Sequence, residues 1–214
     1  MGYQASPKIV GGTEVTVRTQ TNIDIRTYLF IILNFQENKY PWMVSILTDA
    51  DDPWTQKCGG TLVASKYVVT SASCVHETSP ASIFAMLGEH NISKTEENQR
   101  IHDVLDIFPH EYFYASTKTH DIAVLELAAH VNLTLFPPAC LSKTSDGERT
   151  NGLECQVYGY GMGTADGILH ETNVTLMDNN QCSETYEDLI SVGKVCGQSN
   201  RPNKGACLVR VLSS

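Results

Sequence analysis

The chain has 214 residues and a formal net charge of −9, from 15 Lys and Arg against 24 Asp and Glu. This acidic balance argues against a nucleic-acid-binding surface, which needs clustered Lys and Arg. With 42% hydrophobic and 18% charged residues, the chain is too apolar and too weakly charged for a disordered protein. Its longest dense apolar run, Tyr28 to Leu33, is far short of the roughly 20 residues of a membrane span. We therefore expect one or two globular domains and no membrane span.

Cysteines and glycosylation motifs indicate an extracellular protein. The chain has seven cysteines, an odd number that leaves at least one thiol without a partner. Asn-X-Ser/Thr sequons occur at Asn91, Asn132 and Asn173. Met1 to Ser6 shows no basic segment followed by an apolar one, so no signal peptide is visible. We expect a secreted chain whose true N-terminus is missing or whose start is misassigned.

Short runs rich in β-branched and aromatic residues, separated by turn residues, predict an all-β fold. The runs are Trp42 to Leu47, Gly60 to Ala64, Tyr67 to Thr70, Ile83 to Leu87, Ile122 to Leu127, Cys155 to Tyr160 and Asn173 to Met177. Their spacing is typical of a β-sandwich or a pair of barrels. One stretch, Asn179 to Ile190, instead predicts a short helix.

Motifs along most of the chain resemble those of the trypsin/chymotrypsin-like serine proteases. In chain order they are Lys8 to Gly12, Pro41 to Ile46, Cys58 to Cys74, Asp121 to Leu127, Cys155 to Gly161 and Lys204 to Cys207. The resemblance implies two Greek-key six-stranded β-barrels, the second incomplete, and an activation cleavage after Lys8 that frees Ile9. It divides the chain into a propeptide remnant at residues 1–8 and a protease domain at 9–214. Within that domain the first barrel would span about 37–130 and the partial second barrel about 150–214.

The same resemblance places Asp121 where the family has the aspartate that orients the catalytic histidine. The position of the histidine itself holds Ser73, whose hydroxyl has no proton affinity near neutral pH and cannot act as general base. Asp121 can instead accept a hydrogen bond from that hydroxyl. His76, just beyond this position, would be misplaced for catalysis, so we interpret it as a solvated loop histidine. Four further histidines are interpreted as surface or strand-end residues: His90, His102, His110 and His120.

The nucleophile loop that follows Cys207 in the family is absent from this sequence. Residues 208–214 offer only Ser213 and Ser214, neither flanked by the glycines that shape a nucleophile turn. The resemblance therefore implies a catalytically inactive homologue that binds protein or peptide ligands and is monomeric if folded. The alternative is a serine endopeptidase represented by a defective or mis-spliced isoform.

Residues 17–36 interrupt the family pattern, and removing them restores it. The segment begins Val17-Arg18 and ends Phe35-Gln36, and Val209-Arg210 occurs again near the end of the sequence. Codons for these pairs can spell intron donor and acceptor signals, so we hypothesise two retained introns. The alternative is a natural loop insertion with a genuine truncation. If translated, the β-prone run from Tyr28 to Leu33 predicts aggregation and poor stability.

For the cysteines, the resemblance implies bridges between Cys58 and Cys74 and between Cys182 and Cys196, each worth a few kcal/mol. The other three cysteines would find their partners in regions absent from this chain. They are Cys140, Cys155 and Cys207.

Two further positions concern ligands. Gly205 lies where family members that prefer Lys or Arg carry an aspartate, so a pocket there, if formed, would suit apolar side chains. Glu89 begins a segment similar to the family's calcium loop, but the carboxylates that follow do not keep its spacing. We therefore expect no cofactor, with calcium at Glu89 as the alternative.

Overall fold

The computed structural model describes residues 39–52, 55–141, 151–160, 167–178, 180, 182 and 194–199, together with the backbone of strands at residues 8–10, 13–14 and 205–207. Strands dominate these residues, and the all-β fold class expected from the sequence is confirmed. The strands are β1 Lys8–Val10, β2 Thr13–Glu14, β3 Met43–Leu47, β4 Gln56–Ala64, β5 Tyr67–Thr70, β6 Phe84–Leu87, β7 Arg100–Pro109, β8 Ala123–Leu127, β9 Glu154–Gly159, β10 His170–Met177, β11 Cys196–Ser199 and β12 Gly205–Cys207. A short helix, α1, spans Ala72–Val75, and a 3-10 turn spans Pro80–Ser82. The helix predicted at Asn179 to Ile190 lies outside the described residues, apart from residues 180 and 182.

Strands β3 to β8 close into an antiparallel barrel in the order β3-β4-β5-β8-β7-β6. β6 follows β5 in the chain but pairs with β3, and β8 returns to pair with both β5 and β7. The interior is filled by alternate residues of each strand, as in β8, where Ala123, Leu125 and Leu127 are buried. We call these six strands the first barrel.

The ten-residue strand β7 was not predicted from the sequence. Its outward residues include the exposed Ile101, Leu105 and Phe108, so apolar residues do not alternate cleanly with polar ones. In this strand only the side chain of Val104 is buried. Barrel closure through pairing with β6 and β8, rather than the local pattern, holds β7 in place.

The remaining strands form a second, partial β-structure. β10 pairs with β9 along one side and with β11 and β2 along the other, and we call these four strands the second sheet. β1 pairs separately with β12. The two N-terminal strands therefore join the C-terminal half of the chain.

The two halves meet along a mixed apolar and hydrogen-bonded contact. Its buried side chains come from both halves and include Tyr40, Met43, Ile92, Tyr160 and Leu169. The backbone of residues 90–92 joins that of residues 167–169 beside them, and we call these two segments the inter-barrel seam. β3 is buried along its whole length because one face points into the first barrel and the other towards this contact.

Candidate functional site

Ser73 and Asp121, the two positions of the family's catalytic apparatus found in the sequence, lie in direct contact. The backbone N–H of Ser73 donates to Oδ1 of Asp121 at 2.6 Å, and the Ser73 hydroxyl donates to Oδ2 at 3.0 Å. Ser73 is buried at 6% exposure. Both carboxylate oxygens of Asp121 are thus engaged by one residue.

Separate elements position the two residues. Ser73 lies in α1, which the Cys58–Cys74 disulfide ties to β4. Asp121 follows His120, whose φ of 51° places it in the left-handed region, and precedes β8. Such a backbone conformation is unfavourable for a non-glycine residue and marks a tight turn fixed by its surroundings. The first barrel therefore holds the Asp121 carboxylate against α1.

The chemistry available to this pair is limited. General-base catalysis requires a group that accepts a proton near neutral pH, whereas the Ser73 hydroxyl is a hydrogen-bond donor to Asp121. A carboxylate in this position orients an imidazole in a working triad. Here it accepts hydrogen bonds from the buried hydroxyl and the N–H of Ser73.

The His76 imidazole contacts Ala72, Glu77 and Phe113. Its Nδ1 lies 3.2 Å from the Ala72 carbonyl oxygen, and its Nε2 lies 3.4 Å from Oε1 of Glu77. The ring meets Phe113 edge-on, with centroids 5.0 Å apart. The interpretation of His76 as solvated was wrong, since its side chain is only 18% exposed. Packing against Phe113 accounts for the difference.

The other histidines vary in burial. His120 is exposed and stacks on the half-buried His110, with ring centroids 4.8 Å apart. His102 lies inside β7 rather than at its end, and burial lowers the pKa of its imidazole. His90 is half-buried and belongs to the inter-barrel seam.

The Lys8-Ile9 segment, where the sequence predicted an activation cleavage, is part of a strand pair. Lys8 pairs with Cys207 and Ile9 with Ala206, in β1 and β12. Val10 pairs with Gly205, the position predicted to line a specificity pocket, and the side chains around it lie outside the described residues.

Both disulfides implied by the resemblance are present, Cys58–Cys74 and Cys182–Cys196. Cys140 is an exposed free thiol and Cys155 a half-buried one. The side chain of Cys207 lies outside the described residues.

Glu89, the calcium candidate, is a buried carboxyl group with 4% exposure. Gly88, at φ 78°, turns the chain from β6 towards it, and a Cβ there would lie 2.5 Å from the Asn98 carbonyl oxygen. Oε2 of Glu89 accepts a hydrogen bond from Nε2 of Gln99 at 2.7 Å, whereas Oε1 has no hydrogen-bond partner among the described residues. The Tyr160 hydroxyl donates to the Glu89 backbone oxygen at 2.7 Å.

Burial, followed by the negative charge of Glu96, raises the pKa of Glu89 to about 8. Calcium takes six to eight oxygen ligands, and Gln99 presents an N–H donor to Glu89. The part of the chain that the structure describes contains no group of three or more His, Cys, Asp or Glu able to hold a metal ion. The Gln99 contact was missed from the sequence, because nothing in the local pattern marks a glutamine ten residues away as a partner.

The three sequon asparagines differ in burial. Asn91 is 7% exposed, whereas Asn132 and Asn173 are exposed. In the described residues, no helix is long and apolar enough to cross a membrane.

The structure thus has a six-stranded antiparallel barrel, a second sheet beside it, and Asp121 in contact with the short helix that follows β5. This combination defines the class of protein, and comparison with known proteins names the family. The model of the Trypsin family matches residues 33–208, most of the 214-residue chain, and the chain belongs to this family of trypsin-like serine proteases.

Two relatives show how far the similarity extends. The proclotting enzyme of Tachypleus tridentatus is 28% identical over 186 residues, covering 78% of this chain and 49% of the relative. Chymotrypsin-like elastase family member 1 of Canis lupus familiaris is 24% identical over 201 residues, covering 90% of this chain and 69% of the relative. The chain thus spans about half the length of the first relative and about two thirds of the second.

Proposed function

We propose that this protein is an extracellular trypsin-family member that binds protein or peptide ligands without cleaving them. The observation that carries the proposal is the Ser73–Asp121 contact, in which the hydroxyl of the residue at the position of the base donates a hydrogen bond to the carboxylate. Loss of one triad member lowers kcat by several orders of magnitude. In His76, the histidine nearest to Ser73 in sequence, Nδ1 contacts the Ala72 carbonyl oxygen and Nε2 contacts the Glu77 carboxylate.

An extracellular location is supported by the two disulfides, because such bonds persist in oxidising compartments. The exposed sequons at Asn132 and Asn173 agree with it. A ligand of protein or peptide type is the class that a trypsin-like surface recognises through extended-strand contacts.

A second candidate function is proteolysis by a serine endopeptidase of which this chain is a defective or mis-spliced isoform. The names of the two relatives, an enzyme and an elastase, favour it, whereas the Lys8-Ile9 segment is compatible with both candidates. Sequencing of the gene and its transcripts separates the candidates. A histidine codon at position 73 would favour the protease. Residues 17–36 bounded by GT and AG, with a spliced alternative, would favour mis-splicing.

The direct test is labelling of the purified chain with a fluorophosphonate probe, which reacts with activated serines of this family. We expect labelling no stronger than that of the heat-denatured chain. Labelling that depends on the folded state and is lost in Asp121→Ala would overturn the non-catalytic proposal.

A further inference from the structure

The three sequons occupy very different places in the fold. Asn132 is exposed and lies in the segment after β8, between the buried Val131 and the exposed Leu133, whereas Asn91 lies in the inter-barrel seam. Asn173 lies on the exposed face of β10, between the buried Thr172 and Val174. Because a glycan is bulky and hydrated, only an exposed asparagine can carry one in the folded chain.

We propose that Asn132 and Asn173 carry N-linked glycans in the folded protein and that Asn91 does not. This inference rests on the extracellular location in the proposed function, since the modification takes place in the secretory pathway. The sequence motif is the same at all three asparagines, and the inference distinguishes them by their exposure in the fold.

The attachment is a group transfer from a lipid-diphosphate-linked oligosaccharide, catalysed by an oligosaccharyltransferase of the host cell. The asparagine Nδ2 forms a bond to the anomeric carbon of the first sugar. The bond between that carbon and the diphosphate oxygen breaks, the lipid diphosphate leaves with the electron pair of that bond, and the proton lost by Nδ2 passes to a base of the transferase and then to water.

At Asn132 the surroundings leave room for this product. Oδ1 of Asn132 accepts a hydrogen bond from the Thr134 N–H at 3.0 Å, and its backbone oxygen accepts from the N–H groups of Leu135 and Phe136. These bonds fix the turn through the carbonyl groups, so substitution on Nδ2 disrupts none of them. Leu133 and Thr134 are exposed as well.

At Asn173 the exposed side is the outer face of the second sheet. The residue pairs with Gln156 of β9 through the backbone, which leaves its side chain out of the ladder. Strand residues alternate between faces, so a substituent here extends away from the buried Thr172 and Val174.

At Asn91 a glycan would have to displace the packing around a side chain that is buried beside the inter-barrel seam. The residue bridges to Ile168, with the Ile92 N–H donating to Gly167 O at 2.9 Å and the Leu169 N–H donating to His90 O at 2.8 Å on either side. Oδ1 of Asn91 also accepts hydrogen bonds from the N–H and the hydroxyl of Ser93. A chain glycosylated at Asn91 before folding could not close this seam.

The test expresses the full chain behind a cleavable heterologous leader in a eukaryotic cell. Glycans are removed enzymatically in ¹⁸O-water, and peptides containing each asparagine are read by mass spectrometry. Occupancy is measured in the folded fraction, defined by protease resistance and both disulfides, and in the unfolded fraction. A second chain lacking residues 17–36 is measured in parallel, so that the result does not depend on the folding yield of one variant.

We expect ¹⁸O at Asn132 and Asn173 in the folded fraction and none at Asn91. Asn132→Gln, and Thr134→Ala as its matched control that keeps the asparagine, should each remove one glycan, whereas Asn91→Gln should leave the mass of attached glycan unchanged. Occupancy of Asn91 in the folded fraction, or an unoccupied Asn132 or Asn173, would overturn the inference. Because the leader supplies entry to the secretory pathway, failure of the natural chain to be secreted is a separate result and contradicts only the proposed location.

Discussion

Tyr40 and Tyr158 stack face to face, with ring centroids 4.1 Å apart and an interplanar angle of 11°. Tyr40 lies just before the first barrel, whereas Tyr158 belongs to β9 of the second sheet. The Tyr158 hydroxyl accepts a hydrogen bond from Nε1 of Trp42 at 2.7 Å, and the Tyr40 hydroxyl contacts the Glu171 carboxylate. Burial raises the pKa of both tyrosines, so both hydroxyls stay protonated at physiological pH.

Removing the Tyr158 hydroxyl should weaken the contact between the two halves. Tyr158→Phe leaves the Trp42 N–H without its acceptor and should lower the free energy of unfolding by about 1 kcal/mol. Tyr158→Leu also removes the ring stack and should lower it by roughly another 1 kcal/mol. Urea-induced unfolding followed by tryptophan fluorescence measures both. Tyr67→Phe, at a side chain 42% exposed, is the control, and an equal loss there would contradict a specific role for Tyr158.

The Ser73–Asp121 contact should contribute to stability. Asp121→Ala leaves the buried Ser73 N–H and hydroxyl without their acceptor, so unfolding should become easier by about 1–3 kcal/mol. Ser73→Ala should lower the free energy of unfolding by roughly 1 kcal/mol. In the double variant the losses should be less than additive, because the two residues are partners. Strictly additive losses would show that the contact contributes nothing.

Glu89 predicts a specific dependence of stability on pH. Its pKa is raised from 4.5 to about 8 in the folded protein, so the folded state holds the proton more tightly than the unfolded state. Its contribution to stability is therefore fully present below pH 4.5 and is lost as the pH rises from there through 8, by up to about 1.4 kcal/mol per pH unit. Glu89→Gln should flatten this part of the stability curve.

Glu77→Gln is the matched control for that experiment, because the Glu77 side chain is 82% exposed. An unchanged pH slope in Glu89→Gln would contradict the buried, protonated carboxyl group. The same variants address calcium: we expect millimolar Ca²⁺ to leave the melting temperature unchanged. Stabilisation by Ca²⁺ that disappears in Glu89→Gln would assign a calcium site instead.

Deletion of residues 17–36 should leave both halves folded. Thr13 pairs with Glu171 before this segment, and Nζ of Lys39 forms a 2.6 Å ion pair with the Glu171 carboxylate after it. The described residues on either side of the segment therefore meet at Glu171, so a short connection can replace it. The deletion also removes the apolar run from Tyr28 to Leu33, which should increase the monomeric fraction.

Size-exclusion chromatography and thermal unfolding measure the effect of the deletion. A deletion variant that loses the cooperative transition shown by the full chain would establish that residues 17–36 are part of the fold. A variant in which residues 17–36 are replaced by the same residues in scrambled order is the control for a simple effect of loop length.

Local sequence patterns predicted most of the first barrel but not what surrounds it. Strand β5 matches its prediction, Tyr67 to Thr70, because hydrophobic residues there lie between clear turn signals. Strand β7 was missed because exposed apolar residues such as Leu105 obscure its alternation. Only the family resemblance marks Ser73 as the expected position of a histidine, since nothing in a serine between an alanine and a cysteine points to a catalytic role.

Contacts between distant segments could not be predicted. The Tyr40–Tyr158 stack and the bridge between the buried Asn91 and Ile168 arise where the two halves meet. Each joins a residue whose local sequence gives no sign of its partner. Burial of a sequon asparagine is a property of the folded seam, whereas the motif is a property of three adjacent residues.

Protein hydrolysis by the purified chain tests the central claim most directly. Casein is incubated with the wild-type chain and, in parallel, with Asp121→Ala prepared identically, and new amino termini are counted. We expect the two rates to be equal and at background, because Ser73 cannot accept the nucleophile's proton. Hydrolysis by the wild-type chain that Asp121→Ala abolishes would contradict the account and identify the protein as an active protease.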